Sequence, residues 1–306
     1  MNIILAGGSG FLGKALIDML LSSHHTLTVL TRNPAAVHQS LPPSVRVEPW
    51  DARTIGNWIR LLNDADAVIN LAGESIGGKR WTKRQKELIL SSRIQSTRVL
   101  VDAIRQASKR PRVLINQSAV GYYGNVPVLP VEEDHPAGND FLSYVCTQWE
   151  GEARKAEELG VRVVLPRTGI VLAARGGALP RMLLPFKLFI GGPLGSGTQW
   201  FPWIHLDDEI GALIVALEND QLSGPVNLAA PESVTMKQFC TALGNALHRP
   251  SWVPVPGVVL KIALGEMAGP LLLGGQRVIP RKLQEAGYSF KFPKLDDALR
   301  DVVKQM

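Results

Sequence analysis

Cysteine is scarce: Cys146 and Cys240 are the only two in 306 residues, and no Cys-x-x-Cys pair exists. Thiols so few and so spaced build neither a disulfide framework nor a zinc site, and they suit a reducing compartment, here the cytoplasm. The six histidines (His24, His25, His38, His135, His205 and His248) form no His-Glu-x-x-His or related pattern, so no metal is expected. The N-terminus lacks a basic leader, and its apolar run Ile3-Ile4-Leu5-Ala6 stops at Gly7-Gly8, which argues against a signal peptide. Long hydrophobic runs are missing too. The greasiest stretch, Val253 to Leu273, is broken by Pro254, Pro256, Lys261, Glu266 and Pro270, too interrupted to span a bilayer, and reads as a buried or interface helix. The net charge of +6 invites a nucleic-acid partner, but the Lys and Arg residues are scattered and no nucleic-acid motif accompanies them. The densest basic stretch, Lys79 to Lys86, reads as a solvated helix face, with closure over an anionic ligand as the functional alternative.

What is present is globular in character, with 45% hydrophobic and 20% charged residues. Short β-branched runs alternate with longer helical patterns through the first half, the mark of a parallel sheet built from βαβ units. Strands are predicted at Asn2–Ala6, Thr26–Leu30, Val45–Glu48, Ala67–Leu71, Val113–Gln117 and Val161–Leu165. Helices are predicted at Phe11–Ser22, from Lys83 to Ser108, around Ser143–Leu159 and at Asp207–Glu218. From about Thr168 to Trp203 the chain is rich in Gly and Pro, which predicts a ligand-covering loop system. The expected architecture is α/β: a doubly wound parallel Rossmann sheet from residues 1–168 plus 203–225, with a smaller C-terminal α/β substrate lobe from 169–202 plus 226–306.

The chemistry starts at Gly7-Gly8-Ser9-Gly10-Phe11-Leu12-Gly13, between the first strand and first helix. It satisfies Gly-x-Gly-x-x-Gly at 8, 10 and 13, and a Gly-x-x-Gly-x-x-Gly variant at 7, 10 and 13. Such a turn needs positive φ, bare backbone facing a pyrophosphate, and close packing of helix on strand, and the helix start then offers free N–H groups to the anion. Gly7, Ser9, Gly10, Phe11, Leu12 and Gly13 are therefore candidate cofactor contacts. At the end of the second strand, where a carboxylate would bind an adenosine ribose 2′-hydroxyl, the sequence is Thr31-Arg32-Asn33-Pro34. Arg32 lies 19 residues past Gly13 (32 minus 13), close to the expected offset of about 20. A guanidinium attracts a 2′-phosphate that a carboxylate would repel, so NADP(H) is expected over NAD(H). Asp51 is a candidate at the adenine, and Leu71, Ala72 and Gly73 end the fourth strand at the carboxyl edge where open α/β sheets bind ligands.

These residues resemble the extended short-chain dehydrogenase/reductases, the superfamily of nucleotide-sugar epimerases and dehydratases, over essentially the whole chain. More narrowly they resemble its "epimerase family protein" branch. That likeness is carried by Asn70-Leu71-Ala72-Gly73-Glu74, Arg80-Trp81, Ser118-Ala119-Val120-Gly121-Tyr122-Tyr123-Gly124, Trp149-Glu150, Gly191 to Gly197, Trp203-Ile204-His205 and Gly274-Gly275-Gln276-Arg277. The resemblance implies a small-molecule substrate of nucleotide-sugar type, a dimer, and a Tyr-x-x-x-Lys pair with a strand Ser. Here Tyr144 is followed by Gln148 in place of Lys, and Ala119 stands where the Ser is counted, with Ser118 one residue earlier. Tyr144 and Ser118 are thus the catalytic candidates. Reaching the phenolate of a free Tyr, with a pKa of about 10, costs roughly 4 kcal/mol at pH 7, and Gln148 has no charge to lower that cost. A phenol acting as general acid needs no such lowering. The chain is then expected to be an oxidoreductase or epimerase-like enzyme with an altered centre, or else a regulatory protein that binds cofactor without turnover. Family position adds Glu74, Arg93 and Trp149 as site residues. Arg167 reads either as a cofactor contact or as a structural ion pair, and His205 beside Asp207-Asp208 either as a pocket residue or as a structural hydrogen-bond centre.

Overall fold

The computed structural model describes all 306 residues. Eight parallel strands form the central sheet: β1 (Asn2–Ala6), β2 (Thr26–Thr31), β3 (Arg46–Pro49), β4 (Ala67–Asn70), β5 (Val113–Asn116), β6 (Arg162–Thr168), β7 (Gly224–Leu228) and the two-residue strand Ser118–Ala119, which pairs with Arg167–Thr168. The spatial order of β1 to β7 is β7-β6-β5-β4-β1-β2-β3. The chain winds outward from β1 to β3, then returns to place β4 on the other side of β1. The loops after β1 and β4 therefore diverge and leave a crevice between them. All four residues of β4 and of β5 are buried, as central strands covered on both faces must be.

Helix α1 (Phe11–Ser22) buries Leu16, Ile17 and Leu20 on one sheet face, together with a late helix at Leu206–Glu218. The other face carries α2 (Lys83–Gln106) and α3 (Phe141–Arg154), with Trp50 and Trp58 completing that core. Thr82 caps α2 by accepting from the Gln85 amide. The basic stretch around it meets the C-terminal lobe: Lys86 pairs with Glu266 at 2.7 Å and Arg80 reaches the Ile262 carbonyl.

The smaller lobe has its own core, in which Phe201 stacks on Phe239 and Trp203, Leu243, Leu295 and Leu299 are buried. Two short pairings support it, Trp200–Phe201 with Val234–Thr235 and Trp203–His205 with Ile170–Leu172. The strand Val126–Val131 leaves the first unit and pairs in parallel with Gln276–Val278. All five residues of β7 pair with β6, so the sheet runs through Leu228, past the boundary expected at 225.

Two expectations change. The Gly-rich stretch after Thr168 is not wholly irregular, because it contains the strand Ile170–Leu172 and a helix at Leu179–Lys187. Pro180 sits in that helix's first turn, where a missing N–H costs nothing. The segment 253–273 does not form one buried helix. Its helix, Gly257–Leu264, has no buried residue and leaves Val258 and Ile262 about 70% exposed (68% and 73%). Within 253–273 only Met267 and Ala268, just beyond the helix, are buried.

Candidate active site

The crevice between β1 and β4 is built from backbone. Gly7 has φ +82°, and a Cβ there would lie 2.8 Å from the Ala72 nitrogen; one on Gly13 would lie 2.6 Å from the Gly7 oxygen. Gly10 caps α1 without any side-chain hydrogen bond, so the first-turn amides, Phe11 and Leu12 among them, are free for an anion. The Phe11 ring is covered by Gly176, where a Cβ would collide with it at 2.4 Å, so the Gly-rich loop lies over the turn. Gly7, Ser9 and Gly10 form one end of a cleft of about 330 Å³. Arg32, Asp51 and Arg53 form the other end. Asp51 accepts three hydrogen bonds of 2.8 Å, from the Arg53 and Thr54 amides and the Thr54 hydroxyl, which hold its carboxyl below the usual range. Its carboxylate is occupied in shaping the loop, and that loop brings Arg53 into the same cleft as Arg32. Sequence reasoning missed Arg53. Both arginines are exposed, and neither guanidinium makes a hydrogen bond or ion pair within the chain.

The second wall, Leu71 to Glu74, is set by a buried polar cluster. Asn70 donates to Asn116 (2.7 Å) and to Thr97 (3.0 Å), and the Trp149 indole donates to Thr97 (2.9 Å). The Asn70 oxygen receives the Ala72 amide, turning the loop toward Gly7. Arg93 is held by the Glu74 and Ile89 carbonyls and stacks over Trp149. Burial lowers its pKa, with Cys146 and Glu74 acting against that shift. Leu71 and Gly73 line both this cleft and an inner cavity of about 270 Å³, so the two spaces adjoin.

The inner cavity reveals the largest departure from expectation. Its α3 wall is Leu142, Val145, Cys146 and Trp149. Tyr144 is two residues from both Leu142 and Cys146, roughly 200° around the helix, and is 54% exposed. Helical phase therefore carries Tyr144 away from the cavity, and the i, i+4 pair facing it is Leu142 and Cys146. Leu142 has no proton to give. The Cys146 thiol is pushed up to about 12 by burial, with the charge of Glu150 adding to the effect.

Ser118 does face the cavity, buried, and donates to Glu150 at 2.7 Å. Glu150 also takes two bonds from Arg167, Nε at 2.8 Å and Nη2 at 2.9 Å, and Arg167 in turn donates to the Tyr123 hydroxyl and stacks on Tyr122 at 3.4 Å. Burial opposes the charge on Arg167, but the bonds to Glu150 and Tyr123 outweigh it and hold the guanidinium protonated. Arg167 is thus the structural ion pair of the two alternatives. His205 is likewise structural: its Nδ1 accepts the Asp207 amide, its Nε2 lies 3.2 Å from Asp301, and burial lowers its pKa. Two further cavity residues, Gln117 and Thr168, carry no sequence signal of function. Gln117 donates to Thr168, whose hydroxyl bonds Glu209 at 2.6 Å. No cluster of His, Cys, Asp and Glu fit to hold a metal is present, and no helix is long and apolar enough to cross a membrane.

A chloroplastic epimerase family protein of Arabidopsis thaliana is 41% identical over 310 residues, spanning 99% of this chain and 87% of that protein. The crystal structure of the human epimerase family protein SDR39U1 with NADPH is 36% identical, covers all of both chains, and superposes with a TM-score of 0.88. UDP-glucuronic acid 4-epimerase from Bacillus cereus shares the fold, with a TM-score of 0.80 at 21% identity, over 100% of this chain and 99% of that one. A domain of unknown function, DUF1731, matches residues 255–302. Residues 3–229 match the sequence model of the NAD dependent epimerase/dehydratase family, and the chain belongs to that family.

Proposed function

We propose that this chain binds NADP(H) in preference to NAD(H) and is an oxidoreductase acting on a small, uncharged carbonyl or alcohol substrate in the inner cavity. The observation that carries the cofactor choice is the pair of unpartnered guanidiniums, Arg32 and Arg53, at the end of the cleft where NAD(H) would need a carboxylate. The amides of the Gly7 to Leu12 turn would hold the diphosphate. Arg32 and Arg53 would hold the 2′-phosphate, and Leu71 to Glu74 with Arg93 would flank the nicotinamide half, which when bound supplies or accepts hydride. The human relative solved with NADPH supports the assignment. For the substrate, Arg93 is the only charged side chain lining the inner cavity, while Trp149, Trp200, Phe201, Met236, Leu271 and Leu272 give it an apolar surface. A diphosphate buried there would lack the cations it needs, which argues against a nucleotide sugar seated in this cavity. The reducing cytoplasm suits its two buried free thiols.

A second reading, a nucleotide-responsive binding protein without turnover, is favoured by Leu142 and Cys146 at the positions where α3 faces the cavity. Calorimetric titration with NADPH and NADH tests the cofactor assignment. A hydrogen bond to a charged group contributes about 1.5–3 kcal/mol, so Arg32→Ala should weaken NADPH about ten- to hundredfold and leave NADH unchanged. Equal affinity for the two nucleotides, insensitive to Arg32→Ala, would remove the argument.

A further inference from the structure

If the family's usual acid is absent from α3, turnover needs another proton donor that reaches the cavity. Glu209 is fully buried in the Leu206–Glu218 helix, and its one side-chain hydrogen bond is from the Thr168 hydroxyl. Its Oε2 and the Gln117 Oε1 make no hydrogen bond. No cation is placed to neutralise it: Arg167, one residue from Thr168, turns its guanidinium to Glu150. Asp207 and Asp208 on the same helix are bound to Lys291 and to the backbone of Lys291 and Phe292, His205 caps the helix start, and the Tyr288 phenol bonds Asp208. A carboxylate so placed is costly, and the neutral acid is the stable form.

The geometry points to Thr168 as the proton donor to a carbonyl substrate in the inner cavity, with Glu209 behind it as the acid that recharges it. The hydrogen-bond count makes the switch explicit. With Glu209 ionised, the Thr168 proton is committed to the carboxylate and its oxygen accepts from Gln117, so nothing is left for the cavity. With Glu209 neutral, the 2.6 Å bond reverses, the Thr168 oxygen accepts from both Glu209 and Gln117, and its own proton is free to face the cavity. This proposal rests on the oxidoreductase reading. As hydride reaches the carbonyl carbon, the C=O π pair moves to oxygen, which takes the Thr168 proton. The Thr168 oxygen takes the Glu209 proton, leaving a carboxylate that is reprotonated from solvent before the next turnover. Burial pushes the Glu209 carboxyl up to about 8, against the hydrogen bond from Thr168, so it holds a proton at neutral pH.

The test joins a spectrum to a pH profile. Infrared difference spectra of wild type minus Glu209→Gln at pH 7 should show the carbonyl stretch of a protonated carboxyl, titrating away near pH 8. NADPH oxidation is then followed with hexanal, benzaldehyde and cyclohexanone, with NADPH affinity measured in the same samples. The wild-type rate should fall about tenfold per pH unit above that midpoint. Glu209→Gln and Thr168→Val should lose about a hundredfold or more with NADPH affinity unchanged, and Thr168→Ser should restore the rate. A missing carboxyl band, an alkaline limb that persists in Glu209→Gln, or NADPH bound yet oxidised by none of these carbonyls overturns the relay and leaves the nucleotide assignment standing. A carboxyl band without NADPH binding overturns the nucleotide assignment, and the relay with it.

Discussion

Replacing Glu150 by Gln keeps the shape of the side chain and removes its charge from beneath the cavity-lining Ser118. Glu150 and Arg167 are 3% and 2% exposed, and the carboxylate accepts three hydrogen bonds, two from Arg167 and one from Ser118. The amide offers one acceptor oxygen, and its nitrogen then faces a donor. Arg167 keeps its charge, its stack on Tyr122 and its bond to the Glu133 carbonyl, but loses the only carboxylate bonded to it. Breaking a buried pair in this way costs about 3–5 kcal/mol, because the remaining charge stays desolvated. That is a large share of a domain stability of about 5–15 kcal/mol. Urea unfolding followed by tryptophan emission should therefore show Glu150→Gln strongly destabilised. The double variant Glu150→Leu with Arg167→Met, which removes both charges, should recover most of the loss. A Glu150→Gln cost below about 1 kcal/mol, or a double variant no better than the single, would refute the view that the pair is a desolvated unit.

Stability should also depend on Glu209. Its folded pKa is raised from 4.5 to about 8, so between those values the folded state holds a proton that the unfolded state has released, and stability falls as pH rises through that window. Unfolding free energies at pH 5 and pH 8 should differ by several kcal/mol in wild type and by less in Glu209→Gln; a flat wild-type profile would count against a neutral Glu209. Gly13→Ala places a Cβ 2.6 Å from both the Gly7 oxygen and the Gly8 Cα, atoms that cannot rotate aside, so NADPH affinity measured by fluorescence should drop at least tenfold. Tyr144→Phe removes a hydroxyl on the solvent side of α3, so NADPH affinity and any carbonyl-dependent oxidation should change less than twofold; a large rate loss would return Tyr144 to the site.

Features that repeat along the chain were legible in the sequence. The strand–Gly-turn–helix opening, the nearly all-apolar β4 and the Arg at the end of β2 each need only local chemistry, and the structure brings Gly7, Arg32, Asp51 and Leu71 to one cleft. Tyr144 was misleading because residue type was weighed above helical phase. The stripe Leu142, Val145, Cys146, Trp149, Glu150 and Ala153 is buried at helical spacing, and Tyr144 falls outside it. Arg53 left a faint trace, a cation two residues after Asp51. Glu209 left none. In the run Asp207-Asp208-Glu209 it reads as an acid complementing the start of a helix dipole, and only the tertiary packing turns it toward Thr168.

The pairing of Val126–Val131 with Gln276–Val278 has a consequence for how the chain is made. Val126 meets a partner 150 residues later (276 minus 126), so the unit built on the central sheet leaves the ribosome with one strand bare. That strand exposes Val128 and Leu129 even in the finished protein, and until the last thirty or so residues arrive it is an open edge able to recruit another chain. Shortening the protein before Gln276 would thus yield aggregates rather than a free-standing half built on the central sheet.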